Sequence, residues 1–411
     1  MISYQEKTLD NGLKVIIHED RSTPLVAVNL LYKVGSRNEQ GDKTGFAHLF
    51  EHLMFGGSEN APDFDDPIQL AGGENNAFTN SDITNFYITI PAQNIETALW
   101  LESDRMKSLL LDKDSLEVQR KVVVEEFKET CLNKPYGDVW HHISSQAYKS
   151  HPYQWPTIGK DISHIEDANL DDVASFFKTY YVPNNAILVL SGNIESARGF
   201  DLCEKWFGEI EAGKHAPTSV VVEPIQMEQR ELHLNKDVPS TAIFMSFTMP
   251  KKNDPAFYVH DVLSDILGNG RSSRLYRKLY KEKKYFAKID AYVTGTIDPG
   301  LLIIDGRVSE GTNNQVAIDS IWEELEILKS TLVPEQEFQK IKNQIISTIE
   351  FGEINILNKA MNLAYYASLD NTELINLQRE KYGAITRDDI LKVAGEVFRK
   401  ENSNTLIYGP N

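Results

Sequence analysis

Cysteine is nearly absent. Cys131 and Cys203 are the only two in 411 residues, so neither a disulfide framework nor a CxxC metal knuckle is available. Two unpaired thiols suit a reducing compartment. No apolar run approaches the roughly 20 residues needed to cross a bilayer. Met1 to Lys7 holds no signal-peptide apolar segment and runs directly into a strand pattern. The cytosol is therefore the expected compartment, with no membrane partner. Basic charge is in deficit as well: 42 Lys and Arg against 60 Asp and Glu leave a net charge of −18. Nucleic acid is excluded as an expected partner, because its phosphates demand a basic surface. The charge is compatible with a cavity that attracts basic peptides, and equally with a surface that merely keeps the chain dissolved. Phosphate loops are missing too. There is no Walker-type loop and no GxGxxG, and Gly268-Asn269-Gly270 is too short to cradle phosphates.

What is present begins with an ordinary globular composition, 41% hydrophobic and 25% charged, in a chain too long for a single core. Strand patterns run from Leu13 to His18 and from Leu25 to Val34, and Phe86 to Ile90 lies in a further pair. Helical runs are expected near 95–108, 113–130, 136–148 and 169–179, before a strand from Ala186 to Ser191. Residues 211–221 interrupt the pattern with Gly, Pro and small polar residues, as a linker does. The second half then repeats the order. It has strands near 231–236, 240–248, 286–294 and 300–307, helices at 255–268, at 273–283 and up to about 397, and a last strand from Thr405 to Tyr408. The expectation is an α+β protein of two homologous α/β domains, each a mostly antiparallel sheet covered by helices. The boundaries are 1–213 for a metal-binding domain, 214–221 for the linker and 222–411 for a homologous domain without a metal site.

The chemistry concentrates in His48-Leu49-Phe50-Glu51-His52, an HxxEH sequence in a run uninterrupted by Pro or Gly before Gly56. Helical spacing puts residues i and i+4 one turn apart on one face. Both imidazoles then reach one metal ion, with the Glu51 carboxylate beside them as a base for its water. A packed core helix with two satisfied histidines would show the same five residues. A second helical run, Val122-Val123-Val124-Glu125-Glu126-Phe127-Lys128-Glu129, offers an acidic third ligand. By pattern alone Glu125, Glu126 and Glu129 all qualify.

At this point the chain resembles the pitrilysin-type zinc metallopeptidases, the inverted-zincin group with the motif HxxEH. It is most similar to the branch of roughly 400 residues that includes mitochondrial processing peptidase subunits and their bacterial relatives. Six stretches carry the likeness in order: Leu9 to Val15, Gly35-Ser36-Arg37-Asn38-Glu39, Gly45 to His52, Asn75 to Thr79, His151-Pro152-Tyr153 and Tyr181 to Ala186. The resemblance implies one Zn²⁺ per chain on His48, His52 and Glu126, with Glu51 as catalytic base and the two domains forming half of a clamshell. It leaves Glu125 and Glu129 as candidates to orient an imidazole. It also implies that Asn76, Ala77, Phe78 and Thr79 form an edge strand onto which an unfolded peptide adds. Two positions depart from the family. A supporting Glu seven residues before the ligand is Gln119 here. An Arg and a Tyr, seven apart in the C-terminal half, are replaced by Tyr280 and Ala287. A homologous subunit that supplies the pair, as a heterodimer, is therefore the expected partner, with a homodimer as the other possibility. The reading from another class is a non-catalytic or peptide-binding scaffold subunit of the same fold.

Overall fold

The computed structural model describes residues 1–214 and 221–411. The expected linker falls mostly on 215–220, outside the described residues. The chain begins with β1 (Gln5–Thr8), β2 (Lys14–Glu19), β3 (Leu25–Tyr32), α1 (Phe46–Leu53), α2 (Asp65–Leu70), β4 (Glu74–Thr79) and β5 (Thr84–Pro91). There follow α3 (Ile95–Ser108), α4 (Lys113–Phe127), α5 (Val139–Ala147), α6 (Ser163–Glu166), α7 (Leu170–Tyr180), β6 (Ala186–Gly192) and α8 (Ser196–Phe207). The second half contains β7 (Arg230–Lys236), β8 (Ala242–Met249), α9 (Pro255–Gly268), β9 (Phe286–Val293) and β10 (Gly300–Val308). It ends with α10 (Asn314–Ser330), α11 (Glu335–Gly352), α12 (Ile356–Ser368), α13 (Leu374–Ala384), α14 (Arg387–Val397) and β11 (Ser403–Pro410). Among the described residues no helix is long and apolar enough to cross a membrane.

Contacts divide the chain into two compact units, and each takes one segment from the other half of the sequence. The first comprises Met1–Lys128, Trp155–Val221 and Glu350–Leu377; the second comprises Glu129–Gln154, Val222–Ile349 and Gln378–Asn411. The first unit's sheet has the order β1-β2-β6-β3-β5-β4, antiparallel except where β2 runs beside β6. Its strand β3, Leu-Val-Ala-Val-Asn-Leu-Leu-Tyr, is buried on both faces, which is why it reads as an unbroken apolar run. One face of β3, with Val26, Val28 and Leu30, joins the core under α1, α3, α4 and α8. On the opposite face, Ala360, Leu363 and Ala364 of α12 pack on β3 and β6. Asn29, the one polar residue within this run, lies fully buried and exchanges amide hydrogen bonds of 2.9 Å with Asn85 of β5. The second unit repeats the plan with order β7-β11-β8-β10-β9, where β7 and β11 are parallel. Here α9, α10 and α14 cover one face, and Val139, Ile143 and Ala147 of α5 cover the other.

Four elements carried no readable signal, among them α6, a single turn of four residues. Strand β1, Gln-Glu-Lys-Thr, is exposed throughout and exists because β2 pairs with it. Helix α2 is six residues with a Pro inside it. Helix α8 has Gly199 within its first turns, which masks the helical pattern. Two expected helices also change pitch. The 113–130 run ends as α-helix at Phe127 and continues as a π-helical turn, Lys128–Leu132; the 273–283 run is π-helical from Tyr276 to Glu282. Such turns widen the helix and are common near functional sites.

One buried charge pair ties the core beneath α1. Arg105 and Glu102, 1% and 0% exposed, bond through Nε–Oε2 (2.9 Å) and Nη2–Oε1 (2.6 Å). The guanidinium lies 4.3 Å and 4.2 Å from the ring centres of Phe64 and Phe86, and Nη1 points at the Met54 carbonyl, 3.5 Å away, at the end of α1. Removing one partner strands the other charge in the core. Arg105→Leu should therefore cost about 3–5 kcal/mol in urea unfolding, and the double variant with Glu102→Leu markedly less. Equal losses would show that the arginine contributes through its ring contacts and not its charge.

Candidate metal centre

Helix α1 is two turns long and carries both histidines. Phe46, Leu49, Phe50 and Leu53 turn into the core, which leaves His48, Glu51 and His52 on the half-buried side. Helix α4 starts with a reciprocal cap between Asp112 and Ser115 and buries Leu116, Val123, Val124 and Phe127. Those apolar positions rotate Glu126 toward α1.

The three expected ligand residues converge. Nε2 of His48 and Nε2 of His52 are 3.3 Å apart, and Glu126 Oε2 is 3.6 Å from the first and 3.3 Å from the second. A tetrahedral zinc with bonds of about 2.0–2.1 Å holds its ligand atoms about 3.3–3.4 Å apart. The donor set is two imidazoles and a carboxylate; two of its three spacings equal the edges of that tetrahedron and the third is slightly longer. Among the described residues it is the only group of three or more His, Cys, Asp or Glu side chains close enough to share one ion. Burial holds the His48 pKa below the usual imidazole value, so the ring stays neutral, the form that binds a metal. The hydrogen bond with His52 keeps the Glu126 carboxyl below its usual range, and thus ionised. His48 Nδ1 is buried with no hydrogen-bond partner among the described residues.

Glu51 is half-buried on α1, close enough for its charge to act on His48. Glu125 lies one position away from the ligand and turns outward; its exposed carboxylate pairs with Lys128 at 2.7 Å. Glu129 falls in the π-helical turn after α4 and is exposed. Gln119, two turns before Glu126 on the same helix face, is half-buried. Strand β4, with Asn76, Ala77, Phe78 and Thr79, is the free edge of its sheet and contacts α1. The Ala77 N–H is held by its neighbour's side chain, Asn76 Oδ1, at 2.8 Å, and Thr79 Oγ1 is buried without a partner among the described residues. In the second unit, Tyr280 sits on the π-helical turn, stacked on Tyr276 at 4.7 Å, and Ala287 is exposed on β9.

One residue beside the site was not anticipated. Gly45 precedes α1 in a left-handed conformation (φ 86°) and offers no side-chain cap. The buried Glu39 caps the helix instead, accepting the Gly45 and Ala47 N–H groups at 2.9 Å each. Burial pushes the Glu39 pKa up to about 8, against the opposing pull of those donors and the Trp155 indole. The available signal was a helix start with no Ser, Thr, Asp or Asn at its cap and an acid shortly upstream.

Comparison with known proteins gives the family. Residues 14–161 match the family model described as insulinase (peptidase family M16), and residues 167–345 match the peptidase M16 inactive domain. The zinc protease PqqE of Helicobacter pylori is 31% identical over 99% of this chain and 93% of its own length. The chain belongs to peptidase family M16. A crystal structure of a protease from Helicobacter pylori superposes with a TM-score of 0.96 at 29% identity, covering 100% of both chains. The yeast mitochondrial-processing peptidase subunit beta is 23% identical over 82% of this M16 chain and 76% of its own length. The two-domain α+β fold is thus that of M16 peptidases, and relatives across the family are named zinc proteases.

Titration with zinc against a competing chelator tests the donor set. One ion per chain is expected. Glu126→Ala should lose more than the roughly 10- to 100-fold in affinity that removal of an outer partner costs, while Glu125→Ala should bind as the parent does. Parental zinc content in the Glu126 variant would remove that residue from the set.

Proposed function

We propose that this M16 chain is the metal-bearing subunit of a zinc-dependent endopeptidase that hydrolyses unfolded peptides or small protein segments. The observation that carries the reading is the spacing of His48, His52 and Glu126 at 3.3–3.6 Å with Glu51 on the same two turns of helix. Zinc bound there would supply a Lewis acid and a water of lowered pKa. His48, His52 and Glu126 hold it. Glu51 takes the proton from the attacking water on its carboxylate and passes it to the leaving amine. The free edge of β4 pairs with the main chain of an extended peptide, which selects for unfolded segments and reads little sequence. The Ala77 N–H would then exchange the Asn76 side chain for a peptide carbonyl.

In this reading a homologous subunit contributes the Arg and Tyr that Tyr280 and Ala287 replace, in a heterodimer. The same two replacements, with the inactive-domain description of residues 167–345, favour a second reading in which the isolated chain traps peptides and turns them over poorly. Cleavage of an unfolded peptide separates the two, measured with and without a homologous chain that carries the pair. Stimulation by the partner supports the subunit reading, and peptide binding without turnover in both assays supports the trap.

Glu51→Gln keeps the ligands and removes the base. The variant should retain its zinc and lose about 10²- to 10⁴-fold in kcat. Cleavage at the parental rate would end the assignment of Glu51.

A further inference from the structure

Both imidazoles of the candidate centre ride on one eight-residue helix, whose apolar face packs into the core without satisfying the amides at its start. Two turns are too short to be stable alone, and the first amides have no cap from Gly45. Each of those unpaired N–H groups is costly when buried. A single carboxylate resolves both: Glu39 Oε2 accepts from Gly45 and Oε1 from Ala47, each at 2.9 Å. Because the two oxygens are rigidly joined and bind amides two residues apart, they constrain the rotation of the first turn as well as its location. His48 is the next residue. The carboxylate also lies at the positive end of the helix dipole.

The segment that bears Glu39 is itself tied to the strand edge. Ser36–Asn38 forms a 3-10 turn, in which the Ser36 N–H donates to Asn80 O at 3.3 Å and the Arg37 N–H donates to Ser81 O at 2.9 Å. Residues 80 and 81 leave β4 directly. The Trp155 indole holds the Ser36 carbonyl at 3.0 Å, and a Cβ at Gly35 would collide with the Asn80 carbonyl and the Asp82 amide, so this approach requires glycine. The Gly35–Glu39 stretch thus joins the start of the metal helix to the end of the exposed strand.

We infer that Glu39 is a positioning residue that sets the imidazoles of His48 and His52 through the backbone of α1 and registers them against β4. The inference rests on the reading of His48, His52 and Glu126 as a zinc site. Glu39 touches neither metal nor substrate in this scheme. Substituting it should disturb metal binding in a folded protein, which a purely structural buried acid would not do.

The test uses the full chain at pH 8.5, above the value of about 8 to which burial pushes the Glu39 carboxyl, and compares the parent with Glu39→Gln and Glu39→Asp. Gln presents an amide N–H to a backbone donor, and Asp is one methylene too short to reach both amides. Zinc affinity is measured by chelator competition, the cobalt-substituted protein by its visible spectrum, and folding by cooperative thermal unfolding. Glu39→Gln should bind zinc about 10- to 100-fold more weakly and show altered cobalt bands, with Glu39→Asp between it and the parent. Parental zinc affinity and cobalt spectrum in both variants overturn the inference, even if the melting temperature falls. If Glu39→Gln does not fold, Glu39→Asp decides by the same criteria. A parent protein that takes up no zinc overturns the metal reading itself, an outcome visible before any variant is compared.

Discussion

The candidate centre depends on holding three donor atoms within the edge length of one small tetrahedron. Helical periodicity supplies two of them, because His48 and His52 are one turn apart on α1. The third comes from another helix, so its placement is a matter of packing. Leu49, Phe50 and Leu53 of α1 and Val123 and Val124 of α4 belong to one buried cluster, and their fit sets the distance over which Glu126 reaches. Interiors packed like organic crystals have little slack.

Around this centre the protein places buried ionisable side chains at both ends of a short helix. Glu39 meets the amides at the start of α1, and Arg105, neutralised by Glu102 and sandwiched between Phe64 and Phe86, faces the carbonyl at its end. The Arg105 charge matches the sign of the dipole it meets, and the Glu39 carboxyl does so once ionised. The neutral state of His48 and the ionised state of Glu126 follow from the same surroundings: burial for the first, hydrogen bonding for the second. These are the protonation states that a bound cation would require.

The second unit shows how far duplication extends. Strand β8, helix α9 and edge strand β9 follow one another as β3, α1 and β4 do, and α9 again lies against an edge strand. Yet the corresponding helix carries Asp261, Ser264 and Asp265, which line an open cavity of about 490 Å³ with Lys288 and Asp290 of β9. The scaffold is repeated and the pair of imidazoles is not: α9 has a single histidine, His260, buried and bonded to the Ala256 carbonyl at 2.8 Å. A sheet with a helix on its central strands is a packing solution, while a metal site needs particular donor atoms, and the two are separable.

Much was legible in the order of residues because it depends on local rules. Alternation and apolar runs located the strands of both sheets except β1, the i,i+4 spacing of His48 and His52 put them on one face, and the repeated element order revealed two similar halves. The motif-bearing stretches pointed to the right family as well. Selection of Glu126 over Glu125 and Glu129 drew on resemblance; only the packed α4, with Glu125 turned out to Lys128 and Glu129 carried into a π-helical turn, places one carboxylate against the imidazoles. The exchange of α5 and α12 between the two sheets, the exposed strand β1 and the cap from Glu39 were also beyond reach. Each depends on partners brought together from distant parts of the chain, and the free energy of such contacts resides in burial and complementarity that no short window of sequence contains.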